Sequence, residues 1–223
     1  MAAPRNVVIT GANRGIGLAL TQLYLARGCQ VWAICRQSSE VLSQTNAKVI
    51  EGVELTDYQG LATKLGALKH LEIDILINNA GLLHDEQLGS VSVSQIQKQY
   101  EINAIAPLVV TDLLLAQMRE GGKIGFVTSR MGSMADNSSG GRYGYRMSKA
   151  ALNAAAVSVA QDVKPLGIAV AILHPGYVQT GMVNFRGDVT AEDSASRLMA
   201  RMDNLTLNNT GTFWHASGEV LPW

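Results

Sequence analysis

Tyr145 and Lys149 stand four residues apart in Tyr145-Arg146-Met147-Ser148-Lys149, a spacing that places both side chains on one face of a helix. The pair has a chemical purpose. A free phenol titrates near pH ~10, too high to trade protons readily at neutral pH. A lysine cation alongside favours the phenolate and lowers that pKa. Tyr145 can then serve as a general acid, protonating a carbonyl oxygen as hydride reaches the carbon. Tyr143 is a decoy, because Met147 rather than a lysine lies four residues on.

A second group suits an anion. Thr10-Gly11-Ala12-Asn13-Arg14-Gly15-Ile16-Gly17 follows an apolar run and opens a helical pattern. Its glycines permit a tight turn and let the backbone approach a pyrophosphate. The free N–H groups and positive dipole of the helix start would hold the charge. The ribose of such a dinucleotide falls beside the end of the next strand, where a carboxylate selects NAD. Ala33-Ile34-Cys35-Arg36-Gln37 offers no acid there. Arg36 and Arg14 present planar guanidinium forks suited to a 2′-phosphate, so NADP is expected in preference to NAD. His84, Asp85 and Glu86 have no second cluster at ligand spacing; they read as a solvated loop and not a metal site, with His84 free to line a substrate opening.

These residues need elements to position them. Short β-branched runs at Asn6–Thr10, Gln30–Cys35, Ala47–Leu55, Ile73–Asn78, Lys123–Ser129 and Ile168–His174 read as buried strands. Helical patterns cover Gly15–Arg27, Tyr58–Leu68, Ser94–Arg119 and Tyr145–Lys164, with Gly28 stopping the first. Strands that alternate with helices imply right-handed crossovers and an α/β fold: one doubly wound parallel sheet with helices on both faces. Ligands then bind beyond the carboxyl ends of the strands, where the winding reverses.

Composition narrows the alternatives. The 223 residues suit one domain, taken as 1–223, with no repeat and no linker. Lys+Arg and Asp+Glu are 18 each, which argues against nucleic acid as the main partner. The 16% charged fraction is low and hints at self-association. Cys29 and Cys35 read as free thiols in a reduced cytoplasm. Met-Ala-Ala-Pro-Arg-Asn carries no apolar stretch, so no signal peptide is expected, and no run approaches a membrane span.

The Thr-Gly-x-x-x-Gly-Ile-Gly loop resembles the cofactor loop of the short-chain dehydrogenase/reductase family, and five further segments match in order over Val7 to Thr180. The resemblance implies a Rossmann-type fold and a nicotinamide site. Gly11, Asn13, Arg14, Gly15, Ile16 and Gly17 would line its phosphates, and Glu54 with Leu55 would meet the adenine, although the usual acid there is Asp. Asn79, Ala80 and Gly81, in Asn78-Asn79-Ala80-Gly81, would lie against the cofactor. Lys149 would also hydrogen-bond the nicotinamide ribose. Pro175, Gly176, Val178 and Thr180 would hold the nicotinamide. Ser129 matches the catalytic serine that holds the substrate oxygen; it lies 16 residues before Tyr145, more than is usual, and Ser133, 12 before, is the fallback. Asn103 matches a helix asparagine that supports a water linking the lysine to solvent.

Beyond Thr180 a short lid leads to a helix capped by Thr190, with Ala195, Leu198, Met199, Met202 and Leu205 as its apolar stripe, and then to a last strand near Thr212-Phe213-Trp214. The loop and the ending resemble the C-factor-like and sniffer-like carbonyl reductases of that family. The expectation is an NADP-dependent oxidoreductase that passes hydride between the nicotinamide and a small-molecule carbonyl or secondary alcohol substrate, with Tyr145 as general acid/base. A cofactor-binding signalling protein and a 3-oxoacyl reductase are the alternatives. Small residues Ala150, Ala151, Ala154, Ala155 and Ser158 on the Tyr145 helix suggest helix pairing in a homodimer or homotetramer.

Overall fold

The structure, a computed structural model, describes residues 4–223; the reading of Met1–Ala3 lies outside them. Seven strands form the sheet: β1 Asn6–Thr10, β2 Gln30–Ile34, β3 Lys48–Ile50, β4 Ile73–Asn78, β5 Met118–Val127, β6 Ala169–His174 and β7 Thr212–His215. Their order is β3-β2-β1-β4-β5-β6-β7, with every neighbouring pair parallel. The chain winds outward from β1 to β3, then returns to β4 on the other side of β1. The reversal therefore falls between β1 and β4, the place where such sheets bind ligands.

The helices are α1 Gly15–Ala26, α2 Glu40–Ser43, α3 Tyr58–Leu65, α4 Val93–Tyr100, α5 Ala106–Leu114, α6 Tyr143–Val163 and α7 Ala191–Asp203. They cover both faces of the sheet, and successive strand residues feed opposite cores. Val8, Leu76, Phe126 and Ile172 pack with α3, α5 and α6. Val7, Ile9, Ile77 and Leu173 pack with Leu20 and Tyr24 of α1 and Leu198 and Met202 of α7. Burial on both faces is why the strands read as continuous apolar runs.

Most boundaries shift by a residue or two, and the larger departures from the sequence reading lie in the third strand, the 94–119 helix, the fifth strand and the Tyr145 helix. The third strand is short, and Glu54 and Leu55 lie beyond it. Backbone pairing continues past Gly52 through Val53 N–H to Cys35 O at 3.1 Å. The helix expected over 94–119 is broken into α4, a π-turn at Glu101–Ile105 and α5. Pro107, at the second position of α5, removes one backbone donor from the helical ladder. The strand expected from Lys123 begins at Met118, but β4 pairing jumps from Met118 to Lys123 across an irregularity containing Gly121 at φ +78°. The catalytic-motif helix starts two residues early, at Tyr143. Thr190 caps α7 by accepting from Asp193 N–H at 3.0 Å, and the predicted stripe of that helix is buried. Among the described residues, no helix is long and apolar enough to cross a membrane.

Candidate active site

The glycine loop sits at the reversal. Gly11, at φ +65°, would press a Cβ within 2.9 Å of Ala80 Cα, so the loop and the end of β4 touch backbone to backbone. A Cβ on Gly17 would collide with Gly11 O, and a Cβ on Gly15, at φ +52°, would lie 3.1 Å from Thr180 Cγ2. The first turn of α1 therefore stays bare, and Thr180 closes the loop from across the sheet. The N-cap of α1 is Arg14, which offers no side-chain cap to the helix start, while Ile16 packs into the core. Asn13 Nδ2 donates to Gln37 O at 2.9 Å and ties the loop to the segment after β2.

Thr10, not singled out from the sequence, organises the β4 end. Its hydroxyl accepts from the N–H groups of Asn79 (3.0 Å) and Ala80 (3.2 Å). Asn79 Nδ2 returns bonds to Thr10 O and Gly11 O at 3.0 and 3.2 Å. A backbone carrying glycines in left-handed turns, a bare helix start and no room for side chains fits a dinucleotide pyrophosphate.

At the adenosine end Arg36 is exposed, and its Nη1 lies 3.7 Å from Glu54 Oε2. Glu54 is turned toward that guanidinium and toward Thr56 Oγ1, at 3.3 Å, while Leu55 packs against the core. Arg36 and Glu54 line a cavity of about 420 Å³ with Thr56, Ser94, Lys98 and Glu101.

Tyr145 and Lys149 are brought together as their spacing predicts. Tyr145 is 8% exposed and Lys149 3%, with the ammonium 5.7 Å from the phenol ring centroid. Lys149 Nζ donates to Val127 O at 3.0 Å. Ser129 follows β5, faces the Tyr145 phenol and accepts from Met131 N–H at 3.1 Å. Ser133 is turned elsewhere: its hydroxyl donates to Trp223 O at 3.0 Å and accepts from Asp136 N–H at 3.1 Å. Arg146 grips the residues that lengthen the Ser129–Tyr145 interval, donating to Ser139 Oγ at 2.8 Å and to Gly141 O at 3.2 Å.

The electrostatics differ from the expected lowering of the Tyr145 pKa. Burial pushes the phenol up to about 12, opposed by the Ser129 hydroxyl and then by the Arg142 charge. Burial holds the Lys149 ammonium down at about 8. Desolvation is the largest cause at Tyr145 and the only one at Lys149.

Asn103, fully buried, lies in the π-turn. Its Oδ1 accepts from Leu82 N–H at 2.7 Å, and its Nδ2 donates to Leu82 O (2.7 Å) and Ser148 Oγ (3.0 Å). Ser148 donates onward to Tyr145 O at 2.8 Å. Both amide hydrogens are thus engaged, so Asn103 anchors the segment after β4 to α6 and keeps only acceptor capacity for a water. A Cβ on Gly81 would lie 3.5 Å from Asn103 Oδ1, 3.7 Å from Lys149 Nζ and 3.9 Å from Met182 Cε. Gly81 therefore marks the floor of the site and Met182 its lid.

Pro175 and Gly176 follow β6, and Val178 is buried where it bridges to Val189. The lid between Thr180 and Thr190 is folded back by Asp188 N–H to Tyr177 O at 2.7 Å.

The His84–Glu86 segment departs from the sequence reading. Asp85 pairs with Arg142 at 3.2 Å, but Glu86 is not solvated: it is 3% exposed. Its carboxylate accepts from Gly144 N–H at 3.2 Å and from Gln99 Nε2. An acid among polar neighbours carries no sequence signal for burial; only the fold brings the start of α6 over it. Among the described residues no group of three His, Cys, Asp or Glu could hold a metal ion.

Residues 5–191 match the short chain dehydrogenase family, and the chain belongs to it. It is 35% identical over 224 residues to a 1-hydroxy-2-glutathionyl-2-methyl-3-butene dehydrogenase of Rhodococcus sp. (strain AD45), covering 97% of this chain and 99% of that one. It is 42% identical over 154 residues to the C-signal protein of Myxococcus xanthus, covering 68% and 93%. The NADPH-bound carbonyl reductase from chicken fatty liver superposes with a TM-score of 0.88 at 29% identity, covering 100% of both chains. The protein is an oxidoreductase of this family, with the Rossmann-like parallel sheet of its structural relatives.

Proposed function

We propose that the protein is an NADPH-dependent reductase of carbonyl compounds in which Tyr145 delivers the proton. The observation that carries this reading is the convergence of Ser129, Tyr145 and Lys149 beside Gly81, in line with the bare glycine loop across the β1–β4 reversal.

When bound, NADPH supplies the hydride for the carbonyl carbon. Gly11, Asn13, Arg14, Gly15, Ile16 and Gly17 hold its phosphates through backbone N–H groups and the start of α1. Arg36 and Arg14 would hold the 2′-phosphate, and the long, exposed Arg36–Glu54 contact leaves the guanidinium available for it. Glu54 and Leu55 flank the adenine. Asn79, Ala80, Gly81, Pro175, Gly176, Val178 and Thr180 shape the nicotinamide side, and Lys149 holds the ribose. Ser129 binds the substrate oxygen. Tyr145, kept protonated by burial, donates its phenolic proton to that oxygen, and the buried Lys149 charge steadies the phenolate left behind. Asn103 fixes α6 through Ser148 and offers its remaining lone pair to a water beside Lys149.

The partner is a small carbonyl or secondary alcohol, with neither nucleic acid nor membrane required. We further propose a homodimer or homotetramer paired through the α6 face that exposes Ala154 and Ser158. Sedimentation at micromolar concentration tests this, and a monomeric mass overturns it. The likeness to the C-signal protein favours a second reading, a cofactor-binding signalling protein in which turnover is secondary. NADPH oxidation with a panel of aldehydes and ketones separates the two. Turnover supports the reductase; tight NADPH binding without turnover of any carbonyl supports the signalling reading.

A further inference from the structure

Glu86 is a buried carboxylate in a protein whose other acids are mostly solvated. Among the described residues no basic side chain lies within ion-pair distance of it. An unpaired buried charge is expensive unless hydrogen bonds and dipoles compensate it. Here the carboxylate is compensated from two sides, by the Gln99 side chain on α4 and by the start of α6. The N-cap of that helix, Arg142, is left-handed at φ +52° and gives no side-chain cap. Its first-turn donors must be satisfied by something else. Glu86 supplies it from outside the helix: its main-chain O accepts from Arg142 N–H at 2.8 Å, and its Oε2 from Gly144 N–H at 3.2 Å. The positive end of the 21-residue helix complements the charge.

Gln99, fully buried on α4, completes the arrangement. Its Oε1 accepts from His84 N–H at 2.9 Å, while its Nε2 donates to Glu86 Oε1. The packing is close enough that a Cβ on Gly144 would lie 3.0 Å from Glu86 Oε1 and 3.1 Å from Ile96 Cα. Gly144 immediately precedes Tyr145. Hydrogen bonds to Glu86 thus hold the backbone of α6 immediately before Tyr145.

We propose that Glu86, held by Gln99, is a positioning residue that sets Tyr145 against Ser129 for proton delivery. This rests on the reductase reading above, so the test carries one readout that depends on turnover and one that does not. The variants are Glu86→Ala, Glu86→Gln, and Glu86→Gln combined with Gln99→Glu. In the last, the two side chains exchange roles. The carboxylate now on α4 accepts from His84 N–H and from the new amide at position 86. The oxygen of that amide accepts from Gly144 N–H, so each hydrogen bond has a partner again.

For Glu86→Ala we expect kcat with a reference aldehyde to fall by about tenfold or more, while KM and NADPH Kd stay within about threefold. Amide hydrogen exchange over residues 143–149 should rise at least about tenfold, with the β1 and β4 amides unchanged. Glu86→Gln should show the same split, and the double variant should regain most of the lost kcat and protection. An unchanged kcat in Glu86→Ala overturns the proposal, as does a loss matched by an equal loss of NADPH-binding sites, or a double variant no better than Glu86→Gln. If the parent turns over no carbonyl, the reductase reading fails, and the exchange and swap measurements still decide whether Glu86 holds the start of α6.

Discussion

Lys149 donates its ammonium to the Val127 carbonyl at 3.0 Å, so the strand that ends beside Ser129 also anchors the lysine one turn beyond Tyr145. This contact links β5 to α6 through a buried charge. Burial holds Lys149 at about 8 and keeps the Tyr145 phenol protonated to about 12. The alkaline fall in kcat/KM for carbonyl reduction should therefore come near pH 8, as Lys149 loses its charge, and not from Tyr145. Lys149→Arg should retain partial activity and move the fall upward; a pH–rate profile of both proteins checks this.

The same shift has a sign in stability. The folded pKa of Lys149 is depressed below its ordinary 10.5, so its contribution is fully present above pH 10.5 and is lost as pH falls through about 8. At about pH 7 Lys149→Met should abolish turnover without lowering Tm. The Tm advantage of the variant should shrink between pH 8 and 10.5. Calorimetry at about pH 7 and about pH 10 checks it, and a variant less stable than the parent at the lower pH contradicts it.

Cofactor choice is tested at Arg36. Losing one charge-assisted contact to the 2′-phosphate should weaken NADPH binding by about tenfold or more in Arg36→Ala, leaving NADH within about threefold. Parallel fluorescence titrations with both cofactors measure the two constants. An equal loss for both removes Arg36 from the phosphate clamp.

Much of this site was legible in the sequence because its residues act through short-range spacing. The Tyr145–Lys149 turn, the glycine loop and the strand ends are local patterns, and a parallel sheet translates them directly into place. Glu86, Gln99 and Thr10 were not legible, because each works through contacts between segments far apart in the chain. The π-turn at Glu101–Ile105 was also hidden: an Asn103 in a helical pattern does not reveal that the helix widens around it. The pKa direction at Tyr145 follows from its depth of burial, whereas the spacing to Lys149 reveals only a charge neighbour.

His174 gives a prediction away from the chemistry. It ends β6 at 8% exposure, with its ring centroid 5.0 Å from that of His215. Burial, then the His215 and Arg130 charges, hold it down at about 3, with Asp136 opposing. Its folded pKa lies below the ordinary 6.5, so its contribution is present above pH 6.5 and is lost as pH falls toward 3. The Tm of the parent should therefore drop more steeply than that of His174→Phe between about pH 6.5 and about pH 4. Parallel slopes would remove His174 from the acid response.

Gly81 tests the floor of the site. A Cβ there meets its neighbours at 3.5–3.9 Å, ordinary contact distances, so Gly81→Ala should fold with an unchanged Tm. The added methyl takes space between Asn103 and Lys149, and NADPH affinity should fall by about tenfold. Unchanged affinity would place the cofactor elsewhere.

The central claim is that Tyr145 delivers the proton to a carbonyl oxygen. Its most direct test compares NADPH oxidation by the parent and by Tyr145→Phe with one carbonyl substrate at saturation, alongside NADPH Kd for both. The account predicts a loss of about 10³-fold or more in kcat with Kd within about threefold. Turnover by the phenylalanine variant within about tenfold of the parent would contradict it.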